Sequence, residues 1–334
     1  MNTILQVNDL VTKFYTVDGV INAVNGVTFE LREGETLAIV GESGSGKSVT
    51  MMSILGLIPT PPGKVENGEA IFTSFGSSHD LLQLTPAELR NVRGGQIGFV
   101  FQDPISTLNP IMTIGEQISE TLTRHLRISG EEARERTVKL LAQVGIPDPE
   151  LRYKNYPFQF SGGMRQRVVI AIAIACTPQI IIADEPTTAL DVTVQAQIVE
   201  LFRNLRESLN VAIIWITHDL GVVAGLADRV LVMYGGRIAE TASVDDLYER
   251  PQHPYTMGLL GALPRMDESD SKRLVSIKGT PPDLLIPLRH CPFAWRCDYA
   301  FDRCWEEVPP QIEISSHHKV SCFYDLEKGE PRDG

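Results

Sequence analysis

One stretch constrains this chain more than any other. The apolar run Leu37-Ala38-Ile39-Val40 leads into Gly41-Glu42-Ser43-Gly44-Ser45-Gly46-Lys47-Ser48, and Val49-Thr50-Met51-Met52-Ser53-Ile54-Leu55 comes next. A buried strand, a glycine turn and a helix start are the setting of a phosphate-binding P-loop. The glycines let backbone N–H groups converge on one point at a helix N-terminus, where an anion is held. Lys47 then reaches the outer phosphates and the Ser48 hydroxyl takes a place on Mg²⁺. The spacing predicts a nucleoside-triphosphate-binding α/β chain.

With 334 residues there is room for one large domain and a smaller one. A formal net charge of −12 argues against a protein whose main task is gripping nucleic acid phosphates. No basic segment followed by an apolar core opens the sequence, so no signal peptide is expected. The most apolar region, 168–183, is split by Thr177-Pro178-Gln179, and neither half nears the roughly 20 residues that span a bilayer. The expectation is a soluble, cytoplasmic chain whose membrane role comes through a partner.

Alternating apolar positions over 4–40 predict a small β-layer ahead of the P-loop. Phe14 and Tyr15 lie in it, either as core aromatics or as a ring stacked on a nucleotide base. Thr85-Pro86-Ala87-Glu88 reads as a capped helix start. The run 96–104 reads as a buried strand that delivers Gln102 to a sheet edge. Helical spacing over 113–145 predicts a helical insertion with a solvated charged face. Ser161-Gly162-Gly163 then opens a long apolar helix, expected to include Cys176, and makes a second anion-binding geometry.

Beyond the Pro178 break, 180–184 reads as a central strand carrying the adjacent carboxylates Asp184 and Glu185. Adjacent residues at a strand end point apart, so Asp184 suits Mg²⁺ and Glu185 the attacking water. A turn through Thr188-Ala189-Leu190-Asp191, a helix over 192–209 and a buried strand come after it, and His218 stands at that strand's end.

Taken in order, the P-loop, Gln102, Ser161-Gly162-Gly163, Asp184-Glu185 and His218 make residues 4–240 resemble an ATP-binding cassette (ABC) ATPase. The resemblance implies an α/β fold: an ABC-type P-loop NTPase core over 1–240 with a β-subdomain. A helical subdomain is inserted at about 105–176, and a small C-terminal domain covers 241–334. It implies that ATP is held by Phe14 (against the base), Gly41, Ser43, Gly44, Ser45, Gly46, Lys47, Ser48 and Val49. Gln102 belongs to the Q-loop, Asp184 to Walker B and Asp191 to the D-loop; Ser48, Gln102 and Asp184 hold Mg²⁺. Glu185 is the implied general base, and His218, Gln102 and Lys47 complete the catalytic set. Ser161, Gly162 and Gly163 form the signature, with Phe160 and Met164 standing where the family more often has Leu and Gln. Two cassettes would pair head to tail, each ATP lying between one P-loop and the other's signature.

A finer resemblance, to ATPase subunits of oligopeptide and dipeptide importers, is carried by several runs. They are Phe101-Gln102-Asp103-Pro104, Leu108-Asn109-Pro110, the 183–191 run, His253-Pro254-Tyr255-Thr256 and Cys291-Pro292-Phe293-Ala294 with Arg296-Cys297. It implies a homologous second ATPase, two transmembrane permease subunits, an extracytoplasmic peptide-binding protein, and a place on the cytoplasmic membrane face. Rival readings are an importer ATPase for nickel or another small solute, and a soluble ABC ATPase acting on nucleic acid or ribosomes. Four of the five cysteines, Cys291, Cys297, Cys304 and Cys322, are spaced C-x5-C-x6-C-x17-C. Short zinc hooks are missing from that pattern. The resemblance implies [4Fe–4S] ligands; Zn²⁺ and free thiols are the alternatives.

Overall fold

The computed structural model describes residues 2–188, 190–263 and 277–332, so Ala189 of the expected D-loop turn lies outside the described residues. In chain order the strands and helices are β1 (Thr3–Thr16), β2 (Gly19–Arg32), β3 (Thr36–Val40), α1 (Lys47–Ile54), β4 (Gly63–Ser74), β5 (Ser77–Asp80), α2 (Pro86–Val92) and β6 (Ile97–Val100). Next come α3 (Pro104–Thr107), α4 (Ile114–Leu126), α5 (Gly130–Gln143), α6 (Pro149–Arg152), α7 (Gly162–Ile174), β7 (Ile180–Asp184), α8 (Val192–Leu209) and β8 (Ala212–Thr217). The last are α9 (Leu220–Val223), β9 (Arg229–Tyr234), β10 (Arg237–Ser243), α10 (Val244–Glu249), α11 (Pro254–Gly261), α12 (Asp302–Glu306), β11 (Ile312–Ser315), β12 (His318–Val320) and the two-residue strands β13 (Tyr324–Asp325) and β14 (Glu330–Pro331).

These elements form two compact units. One holds 72–216 together with 1–4 and 31–35. Its sheet is parallel, with β7 between β6 and β8, and Ile180 to Asp184 stand in register with Ala212 to Ile216. β7 and β8 are buried at every position, which is why they read as unbroken apolar runs. Helices α3 to α7 occupy the stretch between β6 and β7. Their starts are written locally. Thr113 caps α4 and Thr85 caps α2, each in a reciprocal box with Glu116 and Glu88. Helix α7 ends at Ile174, so Cys176 falls in the turn beyond it and not in the helix. Thr177 there takes φ +51 and Pro178 comes next, which the helix cannot pass.

The second unit combines 5–30, 36–71 and 217–334. Strands β2, β1 and β4 are neighbours in one sheet. In the other, β3 pairs in parallel with β9, and β10 runs antiparallel to β9 and β12. The C-terminal segment therefore adds β12 and β11 beyond β10 to the sheet that holds β3 and β9. Its Cys291, Phe293, Ala294, Cys304 and Phe323 share one hydrophobic core with Ala38, Val40, Val230 and Tyr255. Position 240, where the sequence turns irregular, lies inside β10. Among the described residues no helix is long and apolar enough to cross a membrane.

Candidate functional site

β3 is buried throughout and delivers the chain to Gly41, whose φ of +152° only glycine adopts without strain. A Cβ at Gly41 would lie 2.2 Å from the Met233 carbonyl oxygen, and one at Gly46 (φ +102) 2.6 Å from that of Ala23. The loop thus runs flush against backbone on two sides. Gly46 is the N-cap of α1, and no side chain caps that helix. Helix starts carry N–H groups that need an outside acceptor, and an anion supplies one. Ser45 Oγ is buried without a hydrogen-bond partner, a polar atom of the kind a bound phosphate would satisfy. Lys47 is buried, and its Nζ donates to the carbonyl oxygens of Gly41 (2.8 Å) and Glu42 (2.9 Å). Ser43 and Gly44 are exposed at the rim; Ser48 and Val49 are half-buried in the first turn of α1. These residues fit a triphosphate.

The loop is also gripped from the C-terminal segment, which local sequence patterns do not reveal. Arg296 Nη1 and Nη2 bond Glu42 Oε2 and Oε1 at 2.5 and 3.0 Å, and Tyr255 Oη accepts from the Glu42 N–H at 2.8 Å. The Glu42 carboxylate beside it, more than anything else, pushes the Arg296 pKa up. A separation of 254 residues leaves no signal for such a pair.

In the other unit, Asp184 ends β7 nearly buried. Glu185 is next at φ +46, its N–H donating to Ile216 O at 2.9 Å. Glu185 Oε2 accepts from Gln102 Nε2 at 3.0 Å and from Thr188 Oγ1 at 2.9 Å. Two predicted residues, Gln102 and Glu185, are thereby brought together; Thr188 reads in the sequence only as part of a turn. Ser161 is exposed and N-caps α7, with Oγ accepting from the Met164 N–H at 3.3 Å. Gly162 and Gly163 make the first turn of that helix. Asp191 caps α8 through Oδ1, which accepts from the Val194 N–H at 2.9 Å.

His218 comes directly after β8 and is exposed. Phe14 lies half-buried on β1, close enough to Gly63 that a Cβ there would meet its ring at 3.0 Å. The five cysteines are all free thiols. Burial pushes the thiols of Cys291 and Cys322 up to about 12 and that of Cys297 up to about 11. Charge on neighbouring members of the same set acts in the same direction: Cys322, Cys304 and Cys297 on Cys291, and Cys297 and Cys304 on Cys322. Cys304 is buried beside Cys291, whose N–H donates to its carbonyl oxygen at 3.0 Å. Among the described residues no group of three or more His, Cys, Asp or Glu side chains is arranged to hold a metal ion. The expectation of a metal site at these cysteines is therefore not supported: the four thiols are free and are not arranged around a common point.

A glycine cradle that ends a parallel-sheet strand, with an acidic strand and a serine-capped helix elsewhere in the chain, belongs to a known class. The ABC transporter family model matches residues 24–188, and the chain belongs to that family of ATPases. A second model, described as the oligopeptide/dipeptide transporter C-terminal region, matches residues 239–304. The chain is 52% identical over 331 residues to the oligopeptide transport ATP-binding protein OppD of Bacillus subtilis, covering 98% of this chain and 91% of that one. It is 50% identical to the dipeptide transport ATP-binding protein DppD of the same organism, over 99% and 97% of the two chains. Among solved structures it resembles the ATP-binding cassette MJ0796 in a dimeric post-hydrolysis state bound to ADP and Pi. There the TM-score is 0.63 at 30% identity, covering 72% of this chain and 98% of that one.

Proposed function

We propose that this chain is the ATP-hydrolysing, energy-coupling subunit of an ABC importer for oligopeptides or dipeptides. The observation that carries the reading is similarity along nearly the whole chain to peptide transport ATP-binding proteins, including the C-terminal region. The ATP phosphates sit in the loop from Gly41 to Val49, with Lys47 turning from its loop carbonyls to the outer phosphates. Ser48, Gln102 and Asp184 would hold Mg²⁺, which would supply charge neutralisation to the phosphate oxygens. Glu185 orients and deprotonates the attacking water, and His218 stabilises charge on the γ-phosphate. Phe14 stacks on the base, and Asp191 serves the D-loop.

Ser161, Gly162 and Gly163 face an ATP held by the P-loop of a second subunit, so neither subunit alone is complete. That second subunit is a homologous ATPase. ATP closes the pair, hydrolysis opens it, and two permease subunits respond to the change. A peptide-binding protein outside the membrane delivers the substrate, and the chain works at the cytoplasmic membrane face. Acidic net charge supports no role on nucleic acid.

Cys291, Cys297, Cys304 and Cys322 are proposed to hold a [4Fe–4S] cluster. What supports the reading is four free thiols whose charges act on one another, a sulfur donor set of the kind such a cluster takes; burial favours their protonated form, so binding would have to displace those protons and draw the thiols into a site. The cluster would supply a cross-link between the segments that carry them. Anaerobically purified protein should contain iron and acid-labile sulfide; protein with neither overturns this assignment and leaves free thiols.

The test of the motor assignment is Glu185→Gln in the assembled importer. ATP binding is retained and peptide-stimulated hydrolysis falls by about 100-fold or more, the share a general base supplies. Hydrolysis at the unsubstituted rate would refute it.

A further inference from the structure

Arg237 opens β10, and its guanidinium forms no hydrogen bond or ion pair among the described residues. Its Nε is buried without a partner. Burial pulls the Arg237 pKa down, and the charge of Asp9 opposes that from beyond ion-pairing distance. Asp9 Oδ2 is itself taken by Asn67 Nδ2 at 2.6 Å. Arg237 as a whole is half-buried, so the cost lies at its Nε, a buried donor without an acceptor.

Arg237 lines a cavity of about 400 Å³, within the size range of small-molecule sites. Tyr234, His253, Phe293, Pro309 and Pro310 are among its walls, and Arg237 is the one charged residue in the lining. The three hydroxyls in the lining each make one bond to the protein, Ser321 as donor and the other two as acceptors. Ser321 Oγ donates to Ile238 O at 2.9 Å, Thr28 Oγ1 accepts from the Asp9 N–H at 2.9 Å, and Tyr234 Oη accepts from Arg296 Nη1 at 3.2 Å. His253 Nδ1 accepts from the Tyr255 N–H at 3.0 Å, and burial holds that ring neutral, its pKa lowered to about 4. Arg237 is therefore the one charged donor at the edge of the chamber, beside the Gln311 amide and the hydroxyl hydrogens of Thr28 and Tyr234.

We propose that this cavity binds a small organic monocarboxylate, its carboxylate paired with Arg237 and its apolar body against Phe293 and the two prolines. One guanidinium matches one carboxylate in charge and in planar, two-pronged geometry. A phosphate dianion would be left half-neutralised in the same place. The neighbouring Gly236 N–H donates to the Ser45 carbonyl oxygen of the P-loop at 3.1 Å, so an occupant sits one residue from the nucleotide loop. The free C-terminus of a short apolar peptide and an aliphatic acid share the required chemistry.

Titration calorimetry on the full chain, with the P-loop saturated by a non-hydrolysable ATP analogue, tests this. The probes are the dipeptide Leu-Leu, its C-terminal amide, and octanoate. At least one acid binds, the amide binds about tenfold or more weaker than Leu-Leu if the peptide is the ligand, and Arg237→Met reduces acid binding by a similar factor. Arg237→Lys, which keeps the charge and loses the fork, falls between. ATP-analogue binding by both variants establishes that they fold. Binding of Leu-Leu alone identifies a peptide terminus as the ligand, and octanoate alone a free acid. The proposal is overturned if neither acid binds up to about 10 mM, if Leu-Leu and its amide bind equally while octanoate does not bind, or if Arg237→Met binds the acids unchanged. These measurements involve no transport or turnover, so they stand or fall apart from the peptide-import reading.

Discussion

Glu185 sits in left-handed backbone at a strand end, and a non-glycine residue at φ +46 carries local strain. Two donors converge on its Oε2, from Gln102 and Thr188. Both neighbours thus help to fix where the carboxylate points. Removing the Thr188 hydroxyl takes away one bond to a charged group, worth about 2 kcal/mol. Thr188→Val therefore lowers kcat about 30-fold with the KM for ATP unchanged, and Thr188→Ser restores it. Steady-state ATPase kinetics on the assembled importer check both; an unchanged kcat in Thr188→Val removes Thr188 from the positioning of the base.

At the scale of elements, the P-loop is held between the turn that leaves β9 and the returning C-terminal segment. Arg296 is nearly buried, stacks over the Tyr234 ring at 5.7 Å, and bonds both Glu42 oxygens. Arg296→Ala leaves the half-buried Glu42 carboxylate short of two donors, a loss of about 2 kcal/mol in stability. Urea unfolding should show the shift, with ATP-analogue affinity falling alongside it; wild-type values for both would mean the clamp is incidental. This pair also marks the limit of reading the sequence. The P-loop, the Thr85 and Thr113 caps and the β7 run are legible because each is written in a few adjacent residues. Apolar character runs on to Cys176, yet the helix stops at Ile174, since Thr177 takes a left-handed conformation that no pattern announces. Arg296 on Glu42 and Arg237 on its cavity arise only when distant segments meet. The C-terminal stretch looks irregular because its order lies in joining β12 to β10, not in any period of its own.

For the molecule as a whole, the buried polar network around β10 makes stability depend on pH. Glu240 is fully buried and accepts from the Gln252 N–H, the His253 N–H and His318 Nε2 at 2.7, 3.0 and 2.7 Å. Burial holds His253 neutral in the folded state, its pKa falling from 6.5 to about 4, while Glu240 pulls the other way. A base with a depressed folded-state pKa contributes stability above its unfolded value and loses it as pH drops toward the folded one. Thermal midpoints should therefore fall between pH 6.5 and pH 4. His253→Asn keeps a short acceptor for the Tyr255 N–H and flattens that part of the profile. An equal slope in both proteins assigns the pH dependence elsewhere.

The energy-coupling account rests on a nucleotide shared between two subunits. Its most direct measurement is the distance from Ser161 Oγ to the nearest γ-phosphate oxygen held by the other subunit, in importer trapped with ATP by Glu185→Gln. The account predicts hydrogen-bond reach, about 3 Å. A closed, ATP-loaded pair in which Ser161 faces solvent, away from every phosphate, would contradict it.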